Sequence, residues 1–140
     1  MMSPKLKFVF LILVILSFTT CRKDIAKNYS GKYRFTTKAS WWNVIGHSDD
    51  SIIIYNGSII ADSKNILKIE FGPSQNTYLF NFGTIYPTVD GNGNLSYADW
   101  LDDPRKSFSG SFNDDGELNI SMTSNYLGGG GDNIIHGSKY

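Results

Sequence analysis

Hydrophobic residues follow two different patterns along this chain. An unbroken apolar run spans residues 8–16 near the N-terminus. After residue 30 apolar and polar residues instead alternate in short stretches, with the period of two that is typical of β-strands. Helical periodicity is hard to find in this part. The pattern therefore predicts an all-β domain behind a short apolar N-terminal segment.

The alternating stretches predict the strands. Each has one apolar and one polar face, as in an antiparallel sheet that meets water on one side. Two further stretches, residues 52–55 and 133–139, are also predicted to be strands. The clearly alternating ones are residues 33–36, 67–71, 78–82, 107–112 and 118–123.

Glycine-containing dipeptides separate these stretches and predict hairpin turns, because Asn, Asp and Gly tolerate positive φ. The four glycines at 128–131 are predicted to form a flexible connection before the last strand. The predicted turn dipeptides are Asn56-Gly57, Asp90-Gly91, Asn92-Gly93 and Asp115-Gly116.

Five glycines recur at nearly constant spacing. They stand at positions 31, 57, 83, 110 and 137, in steps of 26, 26, 27 and 27 residues. In the best copies of the repeat the glycine has the parity of its apolar neighbours and is expected to face the core. Glycine inside a strand marks a sharp bend or a close approach of two backbones. A small, strongly curved barrel needs both.

These patterns predict an antiparallel up-and-down meander of about eight strands that closes into a small barrel. In such a barrel the last strand pairs with the first, because only that pairing removes the open edges. A two-sheet β-sandwich is the alternative fold.

The chain before Cys21 has the layout of a secretory signal. Lys5 and Lys7 precede the apolar run, and residues 17–20 follow it. The run is too short for a membrane span, which needs about 20 apolar residues. We predict a signal peptide at residues 1–20 and one barrel domain at 29–140. Residues 21–28 are then the new N-terminus, with a polar tether or one helical turn.

Two sets of motifs carry family resemblances. Residues 17–21, Ser-Phe-Thr-Thr-Cys, resemble the lipobox of Bacteroidota lipoproteins, which implies acylation of Cys21 and an outer-membrane location, periplasmic or surface-facing. Residues 29–33, Tyr-Ser-Gly-Lys-Tyr, resemble the opening motif of lipocalin-type barrels, and residues 137–139, Gly-Ser-Lys, resemble their last strand. Together they resemble a group of small Bacteroidota lipoproteins whose members are mostly of unassigned function.

Composition argues against several function classes. The chain has 13 basic and 13 acidic residues, so no excess of positive charge indicates a nucleic-acid partner. One cysteine and two histidines are too few for a structural zinc site, which needs four such ligands. The sequence contains neither a Gly-x-Ser-x-Gly nor a Ser-x-x-Lys motif. We therefore predict a non-enzymatic protein without a cofactor.

Three tryptophans are candidate ligand-binding residues. Trp41 and Trp42 are adjacent, so on a strand they point to opposite faces and one of them leaves the core. An exposed tryptophan can stack on a sugar ring or mark a partner surface. Trp100 is the third candidate. The alternative is that the adjacent pair closes one end of the barrel.

Two polar stretches are weaker candidates for a metal site. With Gly93 at the sixth position of an EF-hand loop, Asp90, Asn92 and Asp99 occupy positions three, five and twelve. Thr88 occupies the first position and no entering helix is predicted, so we favour a hairpin turn over a Ca²⁺ site. The segment 47–50, His-Ser-Asp-Asp, is interpreted as a polar loop before a strand.

These observations predict a membrane-anchored binding or accessory module. Its ligand would be a small apolar molecule, a glycan or a partner protein. The alternative is a structural or inhibitor-like protein with a filled barrel that contacts another protein through its loops or edge. The two hypotheses differ in whether the barrel interior has room for a ligand, since small barrels of this size can be packed solid or hold one small molecule.

Overall fold

The computed structural model describes residues 24–47, 51–72 and 83–140, without the side chains of His47 and Trp100. Two short helices and ten strands form in these ranges. In chain order they are α1 Ile25–Tyr29, β1 Gly31–Asn43, β2 Gly46–His47, β3 Ser51–Ala61, β4 Leu67–Glu70, β5 Thr84–Ile85, β6 Thr88–Val89, β7 Asn94–Ser96, α2 Ala98–Leu101, β8 Lys106–Phe112, β9 Leu118–Tyr126 and β10 Gly129–Lys139.

All the strands of the described ranges belong to one antiparallel sheet. Its order is β5-β4-β3-β1-β10-β9-β8-β7-β6, and β2 pairs with the end of β1. Apart from β2 and from β5 and β6 at the two ends of this order, strands that follow one another in the chain are neighbours in the sheet, which confirms the predicted up-and-down meander. The single sheet also decides against the two-sheet sandwich.

The last strand pairs with the first, as predicted. The β1–β10 ladder is antiparallel and runs from Tyr33 opposite Lys139 to Asn43 opposite Gly129. On its other side β1 pairs with β3 from Gly31 opposite Ile59 onwards. The strand that opens the domain is therefore a central strand of the curled sheet.

The two ends of the sheet also meet. Strands β5 and β6 are separated in the chain only by Tyr86 and Pro87, and proline cannot donate a ladder hydrogen bond. Leu67 N donates to Pro87 O at 2.9 Å, and Val89 N donates to Asn65 O at 2.7 Å. These bonds connect the β3–β4 side of the sheet to the strand that leads into β7.

Two of the repeated glycines make room for one aromatic ring. Phe35 on β1 is fully buried. A Cβ atom on Gly57 would lie 2.7 Å from Phe35 Cε2, and one on Gly137 would lie 2.8 Å from Phe35 Cε1. The flanking strands can approach the ring from both sides only because neither glycine carries a side chain.

The expectation that the glycines of the best copies face the core is confirmed at Gly57 and Gly110 and is wrong at Gly31. A Cβ atom on Gly110 would lie 3.1 Å from Leu95 Cδ1, so this glycine also faces the core. Gly31 meets only the flexible side chain of Lys139, and a Cβ atom on Gly83 would meet nothing within 4 Å. The regular spacing therefore corresponds to core packing at Gly57, Gly110 and Gly137 only.

Two hairpin turns have the same construction. Asp90 N donates to Asn94 O in one turn and Asn113 N donates to Glu117 O in the other, both at 3.0 Å. The glycines before the closing residues, Gly93 and Gly116, have φ of +83° and +78°. Positive φ at this position is what a three-residue hairpin loop with a glycine bulge requires. The turns predicted around Gly93 and Gly116 are confirmed.

Two turn predictions are wrong. Asn56-Gly57 lies inside β3, because the backbone of β4 passes so close to Gly57 that a side chain there would meet Glu70 O. In the predicted flexible connection only Gly128 lies in the turn, while residues 129–131 belong to β10. The aromatic ring of Trp42 occupies the space that a side chain on Gly130 would need, so the glycine segment is held as a strand.

Some predictions fall outside the described residues. They include the strand at 78–82 and the whole segment 1–23 with Cys21. Of the predicted tether, Ile25–Tyr29 is the helix α1, and its Ala26 is completely buried against the barrel. Within the ranges that the structure describes, no helix is long and apolar enough to cross a membrane.

Candidate functional site

The two ends of the barrel have different compositions. We call the end at which β1 begins and β10 finishes the N-terminal end, with Tyr33 opposite Lys139. We call the other end the distal end. There the β1–β2 turn and the β9–β10 turn are joined by a hydrogen bond from Val44 N to Gly128 O at 3.0 Å.

The interior of the N-terminal half is filled by large side chains. Tyr33, Phe35 and Leu118 are all completely buried. The ring of Phe35 packs edge-on against Phe71 with centroids 5.2 Å apart and is tilted against Tyr55 at 5.6 Å. This half of the interior is built as a packed core rather than as a ligand cavity.

A buried tyrosine closes the N-terminal end. The Tyr33 hydroxyl donates to the carbonyls of Tyr29 and Gly116, at 3.0 and 3.1 Å. Burial, with a smaller effect of Tyr29, raises the pKa of Tyr33 to about 12, so its hydroxyl stays a donor at neutral pH. Tyr29 also stacks on Phe112 with centroids 4.0 Å apart. These contacts fasten α1 and the β8–β9 turn over the core.

The interior of the distal half has smaller and more polar side chains. Ala39, Ser124 and Asn133 occupy inward positions and are buried. Asn133 lies opposite Ala39 in the β1–β10 ladder, and Ser124 lies opposite Gly131 in the β9–β10 ladder. Small residues on three adjacent strands reduce the side-chain volume in this part of the barrel.

Ser124 has an unusual environment. Ser124 is 1% exposed, and among the residues that the structure describes its Oγ has no hydrogen-bond partner. Buried polar atoms are nearly always paired, so an unpaired one calls for an explanation. Two other inward hydroxyls, those of Thr37 and Tyr55, are paired with each other at 2.8 Å. The Ser124 hydroxyl is therefore a buried group whose hydrogen-bonding capacity the described residues leave unused.

The structure shows where two of the three tryptophans lie, and their role in ligand binding stays a prediction. Trp41 and Trp42 point to opposite faces of β1, as expected: Trp41 lies opposite Gly131 near the distal end, and Trp42 packs its ring against Gly130 on the outer side. Trp41 is 47% exposed. Trp100 belongs to α2, but its side chain lies outside the described part. Of the two tryptophan side chains that the structure describes, Trp41 is the one beside the small distal interior.

Three aliphatic side chains at the distal end are almost fully exposed. Val44 and Ile45 lie in the β1–β2 turn and are 85% and 93% exposed, and Leu127 in the β9–β10 turn is fully exposed. We call Val44, Ile45 and Leu127 the distal apolar patch. Clustered exposed apolar residues mark interaction surfaces. Sequence reasoning missed them, although apolar residues beside Gly46 and Gly128, where turns are normally polar, were a usable signal.

Asp90, one of the three weak metal candidates, uses its carboxylate to hold the turn. Asp90 Oδ1 accepts hydrogen bonds from Asn92 N and Asn94 N, both at 2.8 Å, and Asp90 Oδ2 accepts one from Asn94 Nδ2 at 3.0 Å. These bonds, that of the Asn94 side chain above all, lower the pKa of Asp90. Asp99 lies in α2. Among the residues described, no group of three or more His, Cys, Asp or Glu is placed to hold a metal ion.

One further polar cluster lies on the outer face of the sheet. His136 Nδ1 lies 3.0 Å from Asn119 Oδ1, and Ser138 Oγ lies 3.2 Å from His136 Nε2. Polar side chains on a solvated sheet face commonly bond one another across strands. We assign this cluster a structural role. The side chain of His47 and residues 48–50 lie outside the described residues.

Comparison of the chain with protein-family models, curated protein sequences and solved structures found no match. The fold is therefore assigned from the observed pairing of the strands and not from similarity to a known protein. The resemblance to Bacteroidota lipoproteins and to lipocalin-type barrels stays a prediction that rests on short motifs. Function has to be inferred from the geometry of the two barrel ends.

Proposed function

We propose that this protein is a non-enzymatic binding module that is lipid-anchored through Cys21 and takes a small ligand at the distal end of its barrel. The ligand class that fits best is a mainly apolar molecule with one polar group. Apolar inward residues such as Met122 and Ile135 would contact its body. The Ser124 hydroxyl would bind its polar group.

The observation that carries this proposal is the buried, unpaired Ser124 Oγ in an interior of small side chains. Ligand sites are mostly apolar, with a few placed polar groups that fix orientation. The distal interior has this composition, whereas the N-terminal half is filled by aromatic rings. A molecule bound at the distal end would pair the hydroxyl that the protein leaves unpaired.

The position of the proposed anchor agrees with a distal site. Helix α1 starts at Ile25, and four chain steps from Cys21 span at most about 14 Å. Strand β1 has 13 residues, which corresponds to a length of about 40 Å along the strand. A lipid on Cys21 would thus hold the N-terminal end near the bilayer. The distal end would face away from it, open to ligands in solution.

Ser124→Leu is expected to weaken binding of the apolar fluorophore N-phenyl-1-naphthylamine by at least about tenfold, since the larger side chain fills the distal interior. Ser121→Leu is the matched control, because Ser121 is on the same strand but exposed on its outer face. Fluorescence titration of the wild type and both variants measures the affinities, and circular dichroism checks that each is folded.

Two results would contradict the ligand proposal. One is a wild-type protein that gives no saturable fluorescence increase. The other is an equal loss of affinity in the two leucine variants, which would place the fluorophore elsewhere. Either result would favour the alternative function, a filled barrel that acts through surface contacts.

The anchor has its own test. Cys21→Ser is expected to move the protein from the membrane fraction to the soluble fraction, or to leave the signal uncleaved, because the serine hydroxyl cannot form the thioether. Fractionation of cells that express each form, followed by immunoblotting and by mass measurement of the N-terminal peptide, gives the answer. Identical soluble behaviour of the two forms would show that Cys21 carries no lipid.

A second candidate function is contact with a partner protein. The distal apolar patch favours it, since Val44, Ile45 and Leu127 project almost fully into solvent from two joined turns. Exposure of this kind is typical of protein-binding surfaces. This function and ligand binding use different residues of the same barrel end.

A further inference from the structure

We propose that the N-terminal end carries a second, separate ligand site that binds carbohydrate. A pocket of about 710 Å³ opens there, outside the filled core. It lies between α1, the β6–β7 turn, the β8–β9 turn and the end of β10. We call it the terminal pocket. This inference goes beyond the proposed function, because it depends neither on the lipid anchor nor on the distal interior.

The terminal pocket brings together polar side chains from four distant parts of the chain. Asn28, Asn92, Asp114, Asp115 and Lys139 line it, and all five are exposed. Among the described residues, no ion pair joins Lys139 to either aspartate. The carboxylates and the ammonium group are therefore available to a ligand.

The chemistry of these groups matches a neutral polyol. A sugar hydroxyl donates and accepts hydrogen bonds at once. The pocket offers carboxylate acceptors, an ammonium donor and amides that can do both. Two carboxylates against one ammonium disfavour an anion such as a phosphate ester. The half-buried ring of Tyr29 adds an aromatic surface of the kind that packs against sugar rings.

The size of the pocket suits more than one sugar ring. Small-molecule sites usually measure about 300–1,000 Å³, and the terminal pocket is well inside this range. It is also open to solvent along the turns, so a longer glycan can extend beyond it. We therefore infer an oligosaccharide rather than a free monosaccharide as the ligand.

The aspartates stand on a turn that is fixed before any ligand arrives. Asn113 Oδ1 accepts hydrogen bonds from Asp115 N at 3.1 Å and from Glu117 N at 2.8 Å. The carbonyl of Gly116 accepts the bond from the buried Tyr33 hydroxyl. A turn held at both sides loses little conformational freedom on binding, and this loss is one of the main costs of affinity.

The experiment uses three defined probes, chitotriose, maltotriose and cellotriose, with saturation-transfer NMR and calorimetry at up to about 10 mM. At least one probe is expected to bind saturably. The double variant Asp114→Asn/Asp115→Asn should weaken this probe at least about tenfold without a change in melting temperature. The matched control is Asp99→Asn/Asp102→Asn, since these exposed aspartates lie at α2 outside the pocket.

A second variant and a cross-check complete the test. Lys139→Met removes the ammonium group, keeps the length of the side chain over Gly31 and should weaken the same probe. Ser124→Leu should leave it unaffected, which separates this site from the distal one. The proposal is overturned if none of the three probes binds. It is equally overturned if the α2 control weakens the probe as much as the Asp114/Asp115 variant does.

Discussion

Deletion of residues 133–140 is expected to abolish folding of the domain. The deleted segment contains most of β10, which is hydrogen-bonded to β1 on one side and to β9 on the other. Its loss removes the buried side chain of Ile135 and the glycine surface at Gly137 that contacts Phe35. It also bares the facing edges of two long strands, and exposed edges of this kind promote aggregation.

Thermal denaturation and size-exclusion chromatography check this expectation. A shorter deletion, of Tyr140 alone, is the control, because this residue is exposed and follows the last residue of the β1–β10 ladder. The control should remain monomeric, with a nearly unchanged melting temperature. If the long deletion also stayed monomeric with the wild-type melting temperature, the residues after 132 would be a dispensable tail.

Gly57→Ala is expected to destabilise the domain by about 3 kcal/mol or more, at the upper end of the effect of overpacking. The new methyl group would collide with the carbonyl oxygen of Glu70 on β4 and with the ring of Phe35. Neither neighbour can move cheaply. The carbonyl belongs to a strand that is paired with β3, and the ring is clamped in the core.

Gly46→Ala is the control for Gly57→Ala. A Cβ atom on Gly46 meets nothing within 4 Å, and the residue is also in a strand, β2. Urea denaturation of both variants separates the packing effect from the general effect of losing a glycine. Similar, small changes in the free energy of unfolding for the two variants would mean that β3 and β4 are not in close contact at Gly57.

The alternation of apolar and polar residues was enough to predict the class of fold and the pairing of the first and last strands. It could not predict the role of Gly57, because Asn-Gly is a turn signal in any local window. What decides its conformation is the approach of Glu70 and Phe35, which belong to other strands. Contacts between residues distant in the chain are absent from a local pattern, so the prediction failed at this position.

In the candidate sites, too, features set by the local sequence were predictable, and features set by contacts between distant residues were not. The opposite directions of Trp41 and Trp42 follow from strand geometry alone and were predictable. The unpaired hydroxyl of Ser124 was not, because it depends on the residues of other strands that surround it, such as Gly131 opposite it on β10. The terminal pocket was hidden for the same reason, since its lining residues lie up to 111 positions apart, from Asn28 to Lys139.

The pairing of β1 with β10 also means that the first and last strands are neighbours in the sheet. The ends of the chain could therefore be moved to another turn of the barrel. Residue 140 donates its backbone N–H to Lys32 O, so the C-terminus lies beside the start of β1, about one strand spacing away. A short linker could therefore join the two ends, and the chain could be opened at Gly128 with every strand contact kept. A tag or second domain fused after Tyr140, in contrast, would sit over the terminal pocket, because Lys139 lines it.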